Sequence, residues 1–374
     1  MPHDNDRFVI SNLLKTAAQL PKMLVPFIFF AFFIAQSCQK ELTMMELLAQ
    51  PIPEEAQKLT GKALVDYVNE RQSFYRAEYS EKAKSRVQSL MKMEYIGKAR
   101  EMYKVAKKAK PYNNDTSDIP ESFDARKVWD YCPSIRYIRD QSSCGSCWAV
   151  SAAETMSDRL CIQTKGKVKV TLSDVDILSC CGEICGYGCD GGYAIEAWNY
   201  TRKYGVCSGG RYEEQGFCKQ YPLHPCGRHQ GQKFYGPCPD TRYNTPKCKP
   251  YCQYGYGKRY YNDKYYVNSA RILENDEVAI QREIMKNGPV QAAMLVYEDF
   301  STYINGVYMH IGGNSLGAHT VKIIGWGANK YDKYWIVANS WNTDWGEDGG
   351  YFRILRGVNH CMIEEEVIAG DFRV

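Results

Sequence analysis

Sixteen cysteines constrain this chain more than any other feature, because so many thiols would be a hazard in a reducing cytosol. They point to a secretory, endosomal or extracellular compartment. One of them has a second use. In Cys144-Gly145-Ser146-Cys147-Trp148 a thiol stands at the start of an apolar, helix-like run from Ala149 to Ile162. A helix N-terminus carries roughly half a positive charge, which favours thiolate over thiol, so Cys147 is a candidate nucleophile. The competing reading makes Cys144 and Cys147 both disulfide partners. It leaves unexplained the His and Asn strings that follow in the order a Cys-His-Asn site needs.

Such a compartment calls for a leader. Residues 23–35 read MLVPFIFFAFFIA, with Lys22 ahead and Ala35, Gln36 and Ser37 closing the run, as in the basic, apolar and cleavage regions of a signal peptide. We assign residues 1–38 as leader, with the signal peptide at 23–37. The run is short for a bilayer span, so no stable membrane anchor is expected. The stretch Met1 to Pro21 is polar, which makes Met23 a candidate start.

Glu54 to Lys110 contains no proline, and Leu64, Val65, Tyr67 and Val68 are set among charges, a pattern that predicts helix throughout. Residues 39–118 hold 15 Lys and Arg against 12 Asp and Glu, whereas residues 119–374 hold 29 of each. The composition changes at the polar, turn-rich stretch from Pro111 to Asp118, which reads as a linker and processing site. A near-neutral C-terminal region without a basic block argues against nucleic acid as a partner. Neither a phosphate-cradling glycine loop nor a solenoid repeat is present. No cofactor and no metal is expected.

A thiolate nucleophile needs a base, and the chain has only six histidines. His3 lies in the leader, His224 and His229 lie in a Cys/Pro/Gly-rich loop, and His360 abuts Cys361. His310 and His319 remain, and His319 opens a strand-like alternation in Gly317-Ala318-His319-Thr320-Val321. The base must be oriented, and Asn339 ends the buried-looking strand Tyr334 to Ala338. Its side-chain oxygen can accept the imidazole N–H while Trp341 screens that bond from water. Gln141, six residues before Cys147, can supply an oxyanion donor beside the Cys147 backbone N–H.

Residues 119–126 (IPESFDAR), Asp140-Gln141 with the string from Cys144 to Trp148, Cys189-Asp190-Gly191-Gly192, Gly317-Ala318-His319 and Asn339-Ser340-Trp341 together resemble the cathepsin B branch of the papain-like cysteine proteases. The resemblance runs through most of residues 119–370, with a weaker one at residues 64–79. It implies an α+β, two-lobe papain-like fold: a helical lobe carrying Cys147 packed against an antiparallel β-barrel lobe carrying His319 and Asn339. It also implies that residues 39–118 are an inhibitory propeptide lying through the cleft and that residues 119–374 are the mature domain. Protein and peptide substrates, and inhibitors of cystatin type, would be the partners.

His319 lies 172 residues beyond Cys147, against about 130–150 in papain-like enzymes, so an insertion is required. Residues 226–238 resemble the occluding loop, which confers dipeptidyl carboxypeptidase activity on cathepsin B. The loop's usual histidine pair is Arg228-His229 here. By resemblance His229 would receive the substrate's C-terminal carboxylate, while Arg228 would replace the residue that pins the loop to Asp140. Arg228 either reaches Asp140 and keeps the loop shut or misses it and leaves the loop loose; the polar, Gly-rich run favours the loose loop.

The resemblance further implies six disulfides: Cys132–Cys161, Cys144–Cys189, Cys180–Cys248, Cys181–Cys185, Cys218–Cys252 and Cys226–Cys238. Cys207 and Cys361 are left over, paired or free. Gly191, Gly192, Ala318, Glu366, His229 and Trp341 would line the substrate cleft, with Glu366 at the base of the second pocket, where a carboxylate can pair with arginine. Asn114 and Asn199 begin sequons for N-glycosylation. The stretch from Tyr334 to Glu347 resembles gut cathepsin B-like proteases of blood-feeding nematodes, which implies haemoglobin as a substrate. Two other classes compete: a zinc or disulfide scaffold suggested by Cys180-Cys181 and Cys185, and a catalytically inactive, disulfide-rich binding homologue. An epoxide that labels only an activated thiol separates both from an enzyme.

Overall fold

The computed structural model describes residues 42–80, 86–96, 98, 101, 116–329 and 332–373. The expected leader and Asn114 lie outside them. Residues 44–374 form one compact unit. Among the described residues no helix is long and apolar enough to cross a membrane.

The N-terminal segment begins with two short helical turns and helix α1 (Gly61–Arg71), whose Leu64, Val65 and Val68 face inward. The helix ends at Gln72, where the chain turns extended. Gln72 Oε1 accepts from the backbone N–H groups of Phe74 and Tyr75, and its Nε2 donates to the Val68 and Tyr75 carbonyls. The helix expected over 54–110 is therefore corrected: strand β1 (Tyr75–Ala77) follows and joins the main sheet, and residues 89–91 run on without helix. Ladder hydrogen bonds from another segment override local helix preference here, an influence that a hydropathy pattern cannot register.

The helical lobe is centred on α2 (Cys147–Gln163). Sixteen of its seventeen residues are buried, as befits a helix enclosed on all sides. Helices α3 (Asp174–Cys180) and α4 (Ala194–Tyr204) pack against it. Ser173 caps α3 by accepting from the Asp176 N–H. One charged residue of α2 is matched across the lobes: Lys322 Nζ donates to Asp158 Oδ2 at 2.7 Å, with both side chains fully buried.

The second lobe follows α5 (Glu277–Asn287), whose N-cap Asp276 accepts from the Ala279 N–H. It is built on β2 (Val290–Tyr297), β3 (Tyr303–Tyr308), β4 (Ser315–Ala328), β5 (Lys333–Ala338), β6 (Tyr351–Leu355) and β7 (Val367–Ala369). Among the described residues the strand order is β1-β3-β6-β5-β4-β2-β7, extended by the short strand Arg271–Ile272 beyond β7. Pairing is antiparallel except between β6 and β3, which run parallel. Strand β4, flanked by β2 and β5, carries His319 and packs on α2. That contact is where the two lobes bring their functional groups together.

Candidate active site

Two disulfides frame the nucleophile's loop. Cys132–Cys161 ties the far end of α2 to the preceding segment, and Cys144–Cys189 joins residues 144–147 to the Gly191 turn. Gly145 donates its N–H to the Cys189 carbonyl at 2.7 Å; a Cβ there would lie 2.6 Å from the same oxygen, so no larger residue fits. Cys147 is the first residue of α2 and is fully buried. Burial pushes its thiol up, opposed by hydrogen bonds from the Thr320 side chain and backbone and from local backbone groups.

His319 sits on β4, also fully buried. Its Nε2 lies 2.8 Å from Asn339 Oδ1, and the ring stacks on Trp341 at 5.1 Å between centroids. Asn339 Oδ1 accepts, so Nε2 carries the hydrogen and Nδ1 is the free acceptor. Nδ1 has no hydrogen-bond partner among the described residues. Desolvation pulls the imidazole down to about 4, partly countered by Asn339. Burial thus disfavours both the thiolate and the imidazolium.

Residues 89–91 of the N-terminal segment cross the cleft. Gln141 Nε2 donates to the Ser89 carbonyl at 2.8 Å and to the Cys144 carbonyl at 2.9 Å, while Ser340 Oγ donates to Gln141 Oε1 at 2.6 Å. Met91 and Ala318 exchange two antiparallel backbone bonds of 3.0 and 2.9 Å. Gly191, at φ 130°, lies under Met91 and Tyr95; a Cβ would come within 2.5 Å of the Tyr95 ring. Gly192 packs on Trp148 in the same way.

The expected cleft residues thus fall into three groups. Gln141, Gly191, Ala318 and Trp341 meet at the segment's path or beside the His319 ring. Gly192 supports that surface from below. Glu366 is buried just before β7, its carbonyl accepting from the Ala293 N–H.

Loop 226–238 departs from expectation. His229 Nδ1 is 2.8 Å from Asp344 Oδ1, and its Nε2 is 3.0 Å from the Cys226 carbonyl and 3.6 Å from Asp140 Oδ2. In this structure His229 is engaged in holding the loop. Arg228 is exposed, its guanidinium 4.5 Å from the Phe234 ring centroid. It does not replace the pin to Asp140. Nor is the loop loose: Gln232 Nε2 donates to Asn342 Oδ1 at 2.6 Å, and Asn342 donates to Asp140 Oδ2 at 2.9 Å. A compact imidazole fits between two carboxylates, and the longer arginine finds an aromatic face outside them. The propeptide's Arg86 also faces Asp140 and Asp344, whose charges oppose the lowering that burial imposes on it.

Five of the six expected disulfides are present. The sixth expected pair, Cys226 and Cys238, is not joined by a bond in this structure; the two side chains interact, and Cys226 also lies 3.1 Å from Ser142 Oγ. The hydrogen bond to Cys238, and then burial, push the Cys226 thiol up. Cys207 and Cys361 are separate and unbridged. Cys180, Cys181 and Cys185 are consumed in disulfides, which removes the proposed zinc ligands. Asn199 lies within α4, half-buried, and Thr201 of its sequon is fully buried with its hydroxyl on the Ala197 carbonyl.

A cysteine opening the central helix, a strand-borne histidine bonded to Asn339 in the second lobe, and the chain's own N-terminal segment bonded to Gln141 and Ala318 are the parts of a cysteine-protease zymogen. Residues 119–370 match the model of the papain family cysteine proteases. The chain belongs to that family, and its relatives place it in the cathepsin B-like group. It is 47% identical over 332 residues to cathepsin B-like cysteine proteinase 6 of Caenorhabditis elegans, covering 85% of each chain. Against cathepsin B-like cysteine proteinase 2 of Haemonchus contortus it is 46% identical over 325 residues, covering 87% of this chain and 92% of that one. The solved structure of procathepsin B S9 from Trypanosoma congolense aligns with a TM-score of 0.68 at 35% identity, over 85% of this chain and 100% of that chain.

Thr320, Ser151, Gln291 and Asp344 were not singled out by sequence. Only Thr320, adjacent to His319, carried a local signal: a hydroxyl beside the base.

Proposed function

We propose that Cys147 is the nucleophile, His319 its base and Asn339 the group that orients the ring, with Gln141 and the Cys147 backbone N–H stabilising the oxyanion. In this reading the thiolate attacks the scissile carbonyl. The imidazolium then protonates the leaving amine, and water releases the acyl-enzyme. Residues 39–118 act as the inhibitory propeptide of a 119–374 mature domain, secreted or lysosomal. The observation that carries the reading is the Gln141 bond to the Ser89 carbonyl: the donor needed by an oxyanion is occupied by the chain's own backbone.

Acid activation followed by titration with an active-site epoxide tests it. One label per molecule, on Cys147, is expected after activation and none before. Labelling of another cysteine, or no label with no hydrolysis, would support the inactive binding homologue instead.

Substrate preference is a finer part of the same proposal. With the loop closed by His229, the enzyme combines endopeptidase activity with removal of C-terminal dipeptides, and haemoglobin is a digestive substrate. Glu366 accepts arginine in the second pocket, so Glu366→Ala should impair Arg-Arg reporters more than Phe-Arg reporters. Haemoglobin left intact by activated enzyme at acid pH would remove that substrate from the proposal.

A further inference from the structure

The two donors assigned to the oxyanion come from different places: Gln141 precedes the nucleophile's loop, and the Cys147 N–H opens α2. One buried hydroxyl joins those places. Tyr221 Oη lies 2.8 Å from the Gln141 carbonyl and 2.8 Å from Ser146 Oγ. A carbonyl can only accept and a phenol has a single hydrogen, so Tyr221 donates to Gln141 and Ser146 donates to Tyr221. Both directions are thereby fixed. Ser146 is the N-cap of α2, yet its side chain makes no capping bond to that helix. A serine in that position ordinarily accepts from the N–H of the second or third helical residue. Here its hydroxyl is turned to Tyr221 instead. Gln141 and Ser146 are fully buried and Tyr221 is 3% exposed, so the bonds form away from water.

Tyr221 is itself firmly held. Cys218, three residues earlier, is bonded to Cys252, Lys219 and Gln220 pair with Gly209 and Gly210, and the Tyr221 N–H donates to the Gly210 carbonyl at 2.8 Å. Gln141 is held from the other lobe as well: its N–H donates to the Ser340 carbonyl at 3.0 Å, and its Oε1 accepts from Ser340 Oγ at 2.6 Å. With Tyr221 on its carbonyl, Nε2 is the one polar group of Gln141 left to meet the N-terminal segment or a substrate. We infer that Tyr221 is a positioning residue for the reaction: its hydroxyl fixes the Gln141 peptide against the first turn of α2 and so sets the spacing between the two oxyanion donors. The inference rests on the roles proposed for Gln141 and Cys147. Two features favour it over a purely structural bond. The phenol bridges the residue that carries one donor and the residue next to the other, and Ser146 forgoes its cap to complete that bridge. Gln141, Ser146, Tyr221 and Ser340 all belong to residues 119–374, so release of the N-terminal segment leaves them in place. Donors aligned before the reaction need no reorganisation during it, and a small misplacement costs rate and not binding.

The test compares acid-activated wild type with Tyr221→Phe, which removes the hydroxyl and keeps the ring. On a Phe-Arg reporter kcat should fall roughly three- to tenfold, as for loss of one neutral hydrogen bond, with KM little changed. Inhibition by a peptide aldehyde, whose carbonyl oxygen is carried onto the oxyanion donors when the thiol adds to its carbon, should weaken by the same factor. Alkylation of Cys147 by iodoacetamide, which forms no oxyanion, should be unchanged. Ser146→Ala should lower kcat by less and add nothing to Tyr221→Phe, because it acts through the phenol. An unchanged kcat for Tyr221→Phe would overturn the inference. So would an equal loss in alkylation, since that result assigns the effect to packing around the nucleophile. Should Tyr221→Phe fail to fold, Ser146→Ala decides the matter alone, and wild-type kcat and aldehyde affinity there overturn it. A Gln141→Ala enzyme with wild-type kcat defeats the oxyanion assignment itself, a result distinct from any of these.

Discussion

Gln141 Nε2 donates to the Ser89 carbonyl across 2.8 Å, which places a peptide oxygen of the N-terminal segment on the same amide that holds the Cys144 carbonyl. The amide cannot rotate away, because Ser340 Oγ donates to its oxygen at 2.6 Å and leaves the NH2 group facing the cleft. Under the proposed mechanism one side chain would serve both states, anchoring the segment before activation and turning to the oxyanion afterwards.

Replacement of Gln141 by alanine should consequently do two things. In activated enzyme, kcat should fall roughly 100- to 1,000-fold, the range for loss of one oxyanion donor, with a much smaller change in KM. In the zymogen, the segment should be held less tightly. Steady-state kinetics on a dipeptide reporter checks the first. A change confined to KM would place Gln141 in substrate binding only.

Met91 offers a separate handle on latency. Its N–H donates to the Ala318 carbonyl at 3.0 Å and its carbonyl accepts from the Ala318 N–H at 2.9 Å. Proline at 91 removes the donor, so Met91→Pro should expose Cys147 to an epoxide in unprocessed protein at neutral pH, where the wild-type zymogen stays unlabelled. Equal protection of the two zymogens would show that this pairing does not maintain latency.

The strings around Cys147, His319 and Asn339 were legible because each is local: a helix start, a strand-like alternation and a strand end, recognisable without knowing what lies opposite, although the strand carrying His319 begins four residues earlier than the alternation suggested. The five disulfides were legible only through resemblance. Pairings between distant segments were not legible. His229 and Asp344 are 115 residues apart, and nothing near either one indicates that an imidazole will sit between Asp344 and Asp140. Gln72 looked like the interior of a long helix because the strand that claims Tyr75, with its Gly306 register, lies more than two hundred residues away. The hydrogen-bonded run Trp198-Gln291-Ser151-Thr320 draws on four separate parts of the chain and became visible only with side chains in place.

Acidification should weaken the hold of the N-terminal segment. His319, whose neighbour Ala318 pairs with Met91, is pulled down to about 4 by burial, and His360, close to residues 47–53 of the same segment, is likewise pulled down to about 4 by burial, with His310 adding to the effect. A group whose docked pKa lies below its free value contributes stability that is present above the free value and lost as pH falls toward the docked one. Docking should therefore be tight above about pH 6.5 and weaken progressively down to about 4. Propeptide dissociation from a Cys147→Ala zymogen cut in its 111–118 linker, followed across that range, checks this. Dissociation independent of pH would contradict it.

The loop at 226–238 should respond to substitution at His229 and not at Arg228. His229 bonds Asp344, lies near Asp140 and touches the Cys226 carbonyl, so it ties both carboxylates of the cleft side to the loop backbone. Burial pushes the Asp140 carboxyl up and His229 pulls it back, so Asp140 left without its imidazole would be a desolvated carboxylate with less compensation. Arg228 is exposed over Phe234, where such a contact is worth about 0.5–1 kcal/mol. His229→Ala should therefore free the loop, raising endopeptidase cleavage of a folded protein several-fold and lowering dipeptide release from C-termini. Arg228→Ala should leave both within about twofold, because the loop loses only a surface contact. The two activities, measured side by side from pH 4 to 8, distinguish the residues. If Arg228→Ala opened the loop and His229→Ala did not, the pin would lie with the arginine, and the imidazole between Asp140 and Asp344 would have no part in closing the cleft.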